Sequence, residues 1–411
     1  MAEQGAPSPA LCSSSGHWRV AFVAQFGWMS AFCTLMITLL NSQYWSVELQ
    51  LDQSATASIK AWLLGMSGAG GLVLGWIGDR TGRRVALAVT SVIAALGAWL
   101  VSQADSQHAL WLAVIVAGFG VGGQWAAGQT LLGELVPAKR RAWLGTIAQS
   151  GAPVGLILSA ILTLRFSGPE ALGWRGTERL LLLGLALLPL LLLVPESEAW
   201  RKTRQHRQRR DPLLNLLRAD VLPTFAAAFV VTLCAMANYW CTVTWLPEYM
   251  KKTWQLSVPG SIGWFLCFGC GSLLGYLLFS WTTARIGRRG AFSLFSLLMA
   301  AGAGALLFGQ DLVRDQEGFV LVFATTAGIG TGLWSCFGPL YTDLFPTHLR
   351  NSAGGVLMNG TRAICLLAPL LPPLFGGDLG AGVGLGCLFG LLAAGTIWLL
   401  PAREAVVVQA D

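Results

Sequence analysis

Twelve stretches of predominantly apolar residues recur along the chain: 20–44, 59–78, 85–104, 109–133, 142–164, 179–195, 221–247, 259–281, 290–309, 318–341, 352–375 and 381–400. Each is about long enough to cross a bilayer as a helix. In hydrocarbon only helices and closed barrels satisfy every backbone group, and these runs are too long and continuous for barrel strands. The sixth is the shortest and almost pure leucine, which predicts a lipid-facing helix with no duty at a cavity. A short polar tail, 1–19, precedes the first and does not resemble a cleaved signal peptide. The charged segment 196–220 divides the spans six and six, so the expected organisation is an N-terminal half 20–195, a basic linker, a C-terminal half 221–400 and a tail 401–411. The halves also repeat a motif: WIGDRTGRR (76–84) follows the second span and TARIGRRGA (283–291) the eighth. Such an internal repeat of six-helix units is the pattern of a duplicated transporter.

Composition excludes the alternatives. Hydrophobic residues make up 54% of the 411 and charged residues only 11%, where about 25% charged is usual for a soluble domain. The mean hydropathy is +0.60. Too few charges remain to cover a soluble surface, and too much apolar mass for a disordered chain. The net charge of +7 is not a nucleic-acid signal, because the positions of the charges explain it. Arg19, Arg80, Arg83, Arg84, Lys139, Arg140, Arg141, the cluster from Arg201 to Arg218, Arg285, Arg288, Arg289, Arg350 and Arg403 all fall on the side of the two termini. Lys60, Arg165, Arg175, Arg179, Lys251, Lys252 and Arg314 fall on the other. The bias predicts cytoplasmic termini, and the expected location is a bacterial inner membrane. The run RKTRQHRQRR (201–210) reads either as a solvated loop or as a contact for anionic lipid.

The nine cysteines lie mostly in apolar runs, and the Cys267/Cys270 pair has no second pair or histidine to complete a metal site. No Ser–His–carboxylate set and no phosphate-binding G-x-x-x-x-G-K-[ST] loop is present. No cofactor, metal or enzymatic activity is therefore expected, and a monomer suffices for the function inferred below.

One ionisable residue stands deep in a span. Arg362 lies about 16 Å past its helix start at 1.5 Å per residue, near the bilayer midplane. A buried guanidinium is costly and is retained for a partner, and its fork matches a carboxylate with two parallel hydrogen bonds. It reads as the anchor of an anionic substrate, or as a donor to backbone carbonyls and polar side chains. Other polar and aromatic groups at mid-span are Trp28, Gln124, Trp125, Gln129, Gln149, Asn238, Tyr239, Trp240, Trp334 and Asn359. Each tryptophan can stack on a solute and donate one hydrogen bond, or simply pack. Trp45, Trp111, Trp245 and Trp254, near span ends, read as interfacial anchors.

With these features the chain resembles the major facilitator superfamily of secondary transporters. The loop GWIGDRTGRR (75–84) matches the family's signature between helices 2 and 3, and ARIGRR (284–289) is its weaker echo. Further segments resemble the metabolite:proton symporters that carry sialate, sugar acids and aromatic acids: GGQWAAGQTLLGELVPAKRR (122–141), VPESEAW (194–200), GPLYTDLFPTHLRNSAGG (338–355) and NGTRAICLLAP (359–369). The resemblance implies an all-α fold of twelve spans in two pseudo-symmetric halves, with helices 1, 4, 7 and 10 lining a central cavity. The mid-span set, Arg362 included, is then the candidate substrate site. Asp79, with Arg83 as its partner, is implied to brace the cytoplasmic helix ends. The pairs Glu134/Arg140 and Asp343/Arg350, at equivalent places after helices 4 and 10, read as gates or as local caps.

Two departures bear on coupling. The resembled subgroup carries an acidic residue in helix 1 and another in the GGEW-type segment of helix 4, but helix 1 here has none and helix 4 has Gln124. No carboxylate falls at mid-span, so proton symport rests on the resemblance. The expected activity is alternating-access transport of a small organic anion. A facilitator, exchanger or exporter of a neutral or amphipathic solute, and a non-transporting receptor with the same fold, remain alternatives.

Overall fold

The computed structural model describes residues 14–198, 200–201, 214–253, 258–309, 317–345 and 347–401. Among them there is no strand. Eleven helical spans are long and apolar enough to cross a membrane: α1 (Gly16–Leu40), α2 (Gln53–Thr81), α3 (Arg83–Gln103), α4 (Gln107–Leu135), α5 (Trp143–Phe166), α6 (Gly173–Leu193), α7 (Leu222–Thr253), α8 (Gly263–Phe308), α9 (Phe319–Tyr341), α10 (Ser352–Leu370) and α11 (Leu379–Leu399). Helix α8 contains two crossings, because Gly287 interrupts it with φ 76° and ψ 167°. The architecture is thus twelve spans in two six-span halves.

Hydropathy placed the span centres, while capping set the ends. Helix α2 starts ahead of its apolar core because the Asp52 carboxylate accepts from the Ala55 amide at 2.7 Å. Helix α6 starts at Gly173, well before the leucine run. It is the least buried span, as a lipid-facing helix should be, but its first turns point Trp174 and Glu178 inward. Two tryptophans expected at the membrane interface are instead core residues. Trp45 and Trp245 are fully buried and donate to the Thr38 and Ala368 carbonyls. Trp111 makes an edge contact with Trp62; Trp254 and residues 202–210 lie outside the described residues.

In lipid, helices gain little from apolar contact alone, so close packing through small residues matters. Gly68 shows the limit between the halves: a Cβ there would come within 2.3 Å of the Ala363 amide nitrogen on α10.

The repeated RTGRR/RIGRR motif has a backbone cause. Gly82 (φ 112°, ψ 158°) joins α2 to α3, and Gly287 occupies the same region at the equivalent place in the second half. Only glycine adopts this conformation readily. A Cβ on Gly82 would also come within 2.4 Å of Glu196 Oε2. That carboxylate, from the VPESEAW segment, accepts from the Arg83 and Arg84 amides at 3.0 Å each and so caps α3. Gly82→Ala is expected to cost about 1–3 kcal/mol from strain, read as a lower thermal midpoint in detergent. An unchanged midpoint would contradict this account of the motif.

Candidate functional site

A cavity lies between the halves, with about 510 Å³ of empty space including its opening to solvent. Helix α1 supplies Trp28 and Phe32, α4 Trp125, and α5 Gln149, Ala152, Pro153 and Leu156. From the second half come Met236, Tyr239 and Trp240 on α7, Ser272 and Tyr276 on α8, Thr331 and Trp334 on α9, and Met358 and Arg362 on α10. Several of these helices lose regular α geometry at this depth. Helix α5 breaks at Ser150, α9 tightens to 3₁₀ over Thr331–Leu333, and α10 has a π turn over Val356–Gly360 just before Arg362. Such defects re-aim side chains and are common at functional sites.

The walls are aromatic. Tyr239 meets Trp240 and Trp334 edge-on, with centroids 5.1 and 5.8 Å apart. The Arg362 guanidinium carbon sits 5.5 Å from the Trp28 ring centroid, within the range of a cation–π contact. Gln149 ties the wall together: its Oε1 accepts from Trp125 Nε1 at 2.6 Å and Gln129 Nε2 at 3.3 Å, and its side chain interacts with Tyr276 across the cavity.

The polar balance is one-sided. Arg362 is 4% exposed and forms no ion pair with any described carboxylate. Its Nε and Nη1 have no hydrogen-bond partner, and neither do Trp28 Nε1 and Trp240 Nε1. Every buried unpartnered polar atom on the cavity wall is therefore a donor, among the described residues. Leaving such groups unsatisfied is expensive, and an acceptor-rich anion would satisfy them.

Of the mid-span residues singled out in the sequence, the structure brings Arg362, Trp28, Trp125, Gln149, Tyr239, Trp240 and Trp334 onto this cavity. Gln129 stands behind Gln149 as its donor. Three others point elsewhere. Gln124 donates to the Leu87 carbonyl at 3.1 Å and Ser91 Oγ at 2.5 Å, tying α4 to α3. The Asn238 side chain faces Gly390 on α11, and that of Asn359 faces Gly71 on α2. All three are buried in helix contacts because a helix has several faces and only one meets the cavity. Ser272, Tyr276 and Thr331 line the site without having been singled out; their wide spacing along apolar spans carried no signal.

At the end bearing the basic loops, Arg83 Nη1 meets Asp79 Oδ1 at 2.7 Å and its Nη2 meets Glu134 Oε1 at 3.2 Å. The expected Asp79–Arg83 pair thus also takes in Glu134. Arg140 is exposed and makes no ion pair among the described residues. Asp343 pairs with Arg288 at 2.7 Å, and the Arg350 side chain lies outside the described residues. Each of these ion pairs stays within one half. At the opposite end, Lys60 of α2 pairs with Glu248 of α7, the one ion pair between halves among the described residues. Lys60 is 3% exposed and also lies 5.3 Å from the Trp245 ring centroid. A second cavity of about 340 Å³, including Gln43 and Thr244, surrounds the pair. Nearby, Arg175 holds Glu48, whose carboxyl is pushed below its ordinary range chiefly by that bond.

The chain resembles known transporters over most of its length. A putative metabolite transport protein of Haemophilus influenzae is 27% identical over 371 residues, covering 87% of this chain and 89% of the relative. A gentisate transporter of Corynebacterium glutamicum is 26% identical over 315 residues, covering 74% and 69%. Among solved structures, the xylose transporter XylE of E. coli matches with a TM-score of 0.74 at 18% identity, covering 94% of this chain and 98% of that one, which shows the shared fold. The Major Facilitator Superfamily model matches residues 18–369 and, separately, 228–410. Twelve spans, a repeated loop motif and a cavity between the halves agree with that match: the chain belongs to the major facilitator superfamily of membrane transporters.

Proposed function

We propose that this transporter carries a small organic anion, a carboxylate on a flat unsaturated or aromatic skeleton, across a bacterial inner membrane with both termini in the cytoplasm. The observation that carries this reading is that the buried unpartnered polar atoms on the cavity wall, among the described residues, are all donors. A carboxylate accepts from Arg362 Nε and Nη1 and from the indoles of Trp28 and Trp240, whereas a sugar's hydroxyls accept as well as donate but carry no charge to offset the guanidinium. The aromatic faces of Tyr239 and Trp334 suit a planar skeleton. Gln149, held by Trp125 and Gln129, supplies a neutral polar contact for a second group on the solute. The similarity to a gentisate transporter supports the same class.

Alternating access then moves the two halves about this site. The Asp79–Arg83–Glu134 and Arg288–Asp343 groups brace the cytoplasmic ends within each half. The chain works as a monomer. Purified protein in liposomes should take up labelled gentisate saturably, at about tenfold or more the rate of xylose, a difference of about 1.4 kcal/mol or more. Xylose uptake without uptake of any aromatic or aliphatic carboxylate would overturn the proposal.

A further inference from the structure

Glu178 of α6 is fully buried, with no ion-pair partner among the described residues. Its surroundings are neutral donors from the outer end of α1. Asn41 Nδ2 donates to Oε1 at 2.9 Å, and Thr38 Oγ1 lies 3.2 Å from Oε2. Asn41 Oδ1 accepts from Ser167 Oγ at 2.7 Å, and Ser167 Oγ is 3.0 Å from Thr177 Oγ1.

A hydrogen count separates the two protonation states. Thr38 Oγ1 also lies 2.9 Å from the Thr34 carbonyl, yet a hydroxyl has a single hydrogen. If Glu178 is ionised, Thr38 must abandon either the carboxylate or the carbonyl. If Oε2 carries a proton, it donates to Thr38 Oγ1, which donates to Thr34, and both contacts of the Thr38 hydroxyl are satisfied. An anion here would also stand in a low-dielectric site with no cation, which is unfavourable. The charged groups around it are engaged or turned away. Arg175 bonds Glu48 and the Ala104 carbonyl. Arg179 is exposed beside Ser102 of α3. Arg165 on α5, with Asp105 and His108 beyond α3, is exposed, and Tyr44 of the short helix Ser42–Glu48 is half-buried.

We infer that Glu178 is a proton-binding site linked to closure of the outer side. Leu39, Leu40, Ser42 and Gln43, which flank Thr38 and Asn41, line the outer cavity between the halves; as the halves separate there, this end of α1 shifts and water exchanges the proton on Oε2, and as they close the proton is retained. The site acts on the helix that also carries Trp28 and Phe32 to the cavity. Asn41 stands at the turn where α1 gives way to the helix Ser42–Glu48. By linkage, a form that binds the extra proton is favoured as pH falls. Outer closure should therefore strengthen on acidification and weaken at alkaline pH. This inference does not depend on which solute is carried.

Two readouts that need no substrate test it. Infrared spectra of the purified protein at neutral pH should contain a protonated-carboxyl C=O band that Glu178→Gln removes. Thr38→Val, which keeps the acid but deletes its acceptor, should shift that band to higher frequency, so the test survives if the glutamine variant does not fold. Second, a cysteine introduced at Thr244, in the outer cavity, should react with an impermeant maleimide faster at alkaline than at acidic pH. Reactivity is corrected for the reagent's own pH dependence with a cysteine at exposed Val47. Glu178→Gln, locked in the neutral form, should flatten that difference. Unchanged spectra in both variants, or a pH dependence that Glu178→Gln leaves intact, would overturn the proposal.

Discussion

Replacing Arg362 by methionine is expected to weaken carboxylate binding by about two to three orders of magnitude without destabilising the protein. The two halves of this expectation share one cause. Truncating one member of a buried, hydrogen-bonded charge pair typically costs about 2–5 kcal/mol of binding, and under the proposed function the substrate is that partner. Within the protein, however, the guanidinium has unpartnered Nε and Nη1 groups and no ion pair among the described residues. Removing it takes away an unsatisfied buried charge rather than creating one, so thermal stability without substrate should stay level or rise. Arg362→Lys retains charge but loses the bidentate fork, and should fall between wild type and methionine. Saturable uptake in liposomes, together with substrate-induced thermal shift in detergent, separates these outcomes. Methionine-variant uptake equal to wild type, or a large loss of ligand-free stability, would make Arg362 a structural residue.

The second large effect is expected at Lys60 and Glu248. This pair joins α2 to α7 across the halves and is mostly buried, so breaking it should open the outer side. Removing one partner of a buried pair costs about 3–5 kcal/mol. Glu248 is 23% exposed at its side chain, which places the expected cost at the lower end of that range. In an alternating-access protein that cost falls on the outer-closed form only, because separation hydrates both groups. Even half of it would shift the conformational equilibrium by about tenfold. Lys60→Ala and Glu248→Gln should each raise maleimide labelling of a cysteine at Thr244 by about tenfold or more. The exchange Lys60→Glu with Glu248→Lys should restore slow labelling, the signature of a direct pair. If both single variants label at the wild-type rate, the ion pair does not latch the outer side.

These residues differ in how far the sequence announced them. Arg362 was conspicuous because hydrocarbon makes any guanidinium in an apolar run exceptional. Glu178 was hidden by a boundary: the leucine run begins just after it, so hydropathy assigned it to the preceding loop. The helix instead starts at Gly173 and carries the carboxylate into the bundle. Lys60 and Glu248 were each legible as residues near span ends, but nothing in a one-dimensional pattern links positions 188 apart. Gln124, Asn238 and Asn359 illustrate the reverse. Their polarity at mid-span was plain, yet helix rotation turned them into helix contacts rather than toward the cavity.

The chain alone determined twelve spans, their division into two halves, the repeated glycine turns and one mid-membrane arginine, because length, hydropathy and backbone strain are local properties. Tertiary structure decided which face of each span meets the cavity, that Glu196 caps α3, and that a neutral hydroxyl and amide surround Glu178. It also decided that the inter-half ion pair lies opposite the basic loops. Those outcomes depend on helix rotation and on contacts between distant segments, which hydrophobic periodicity leaves free in a bundle that is apolar on nearly every side.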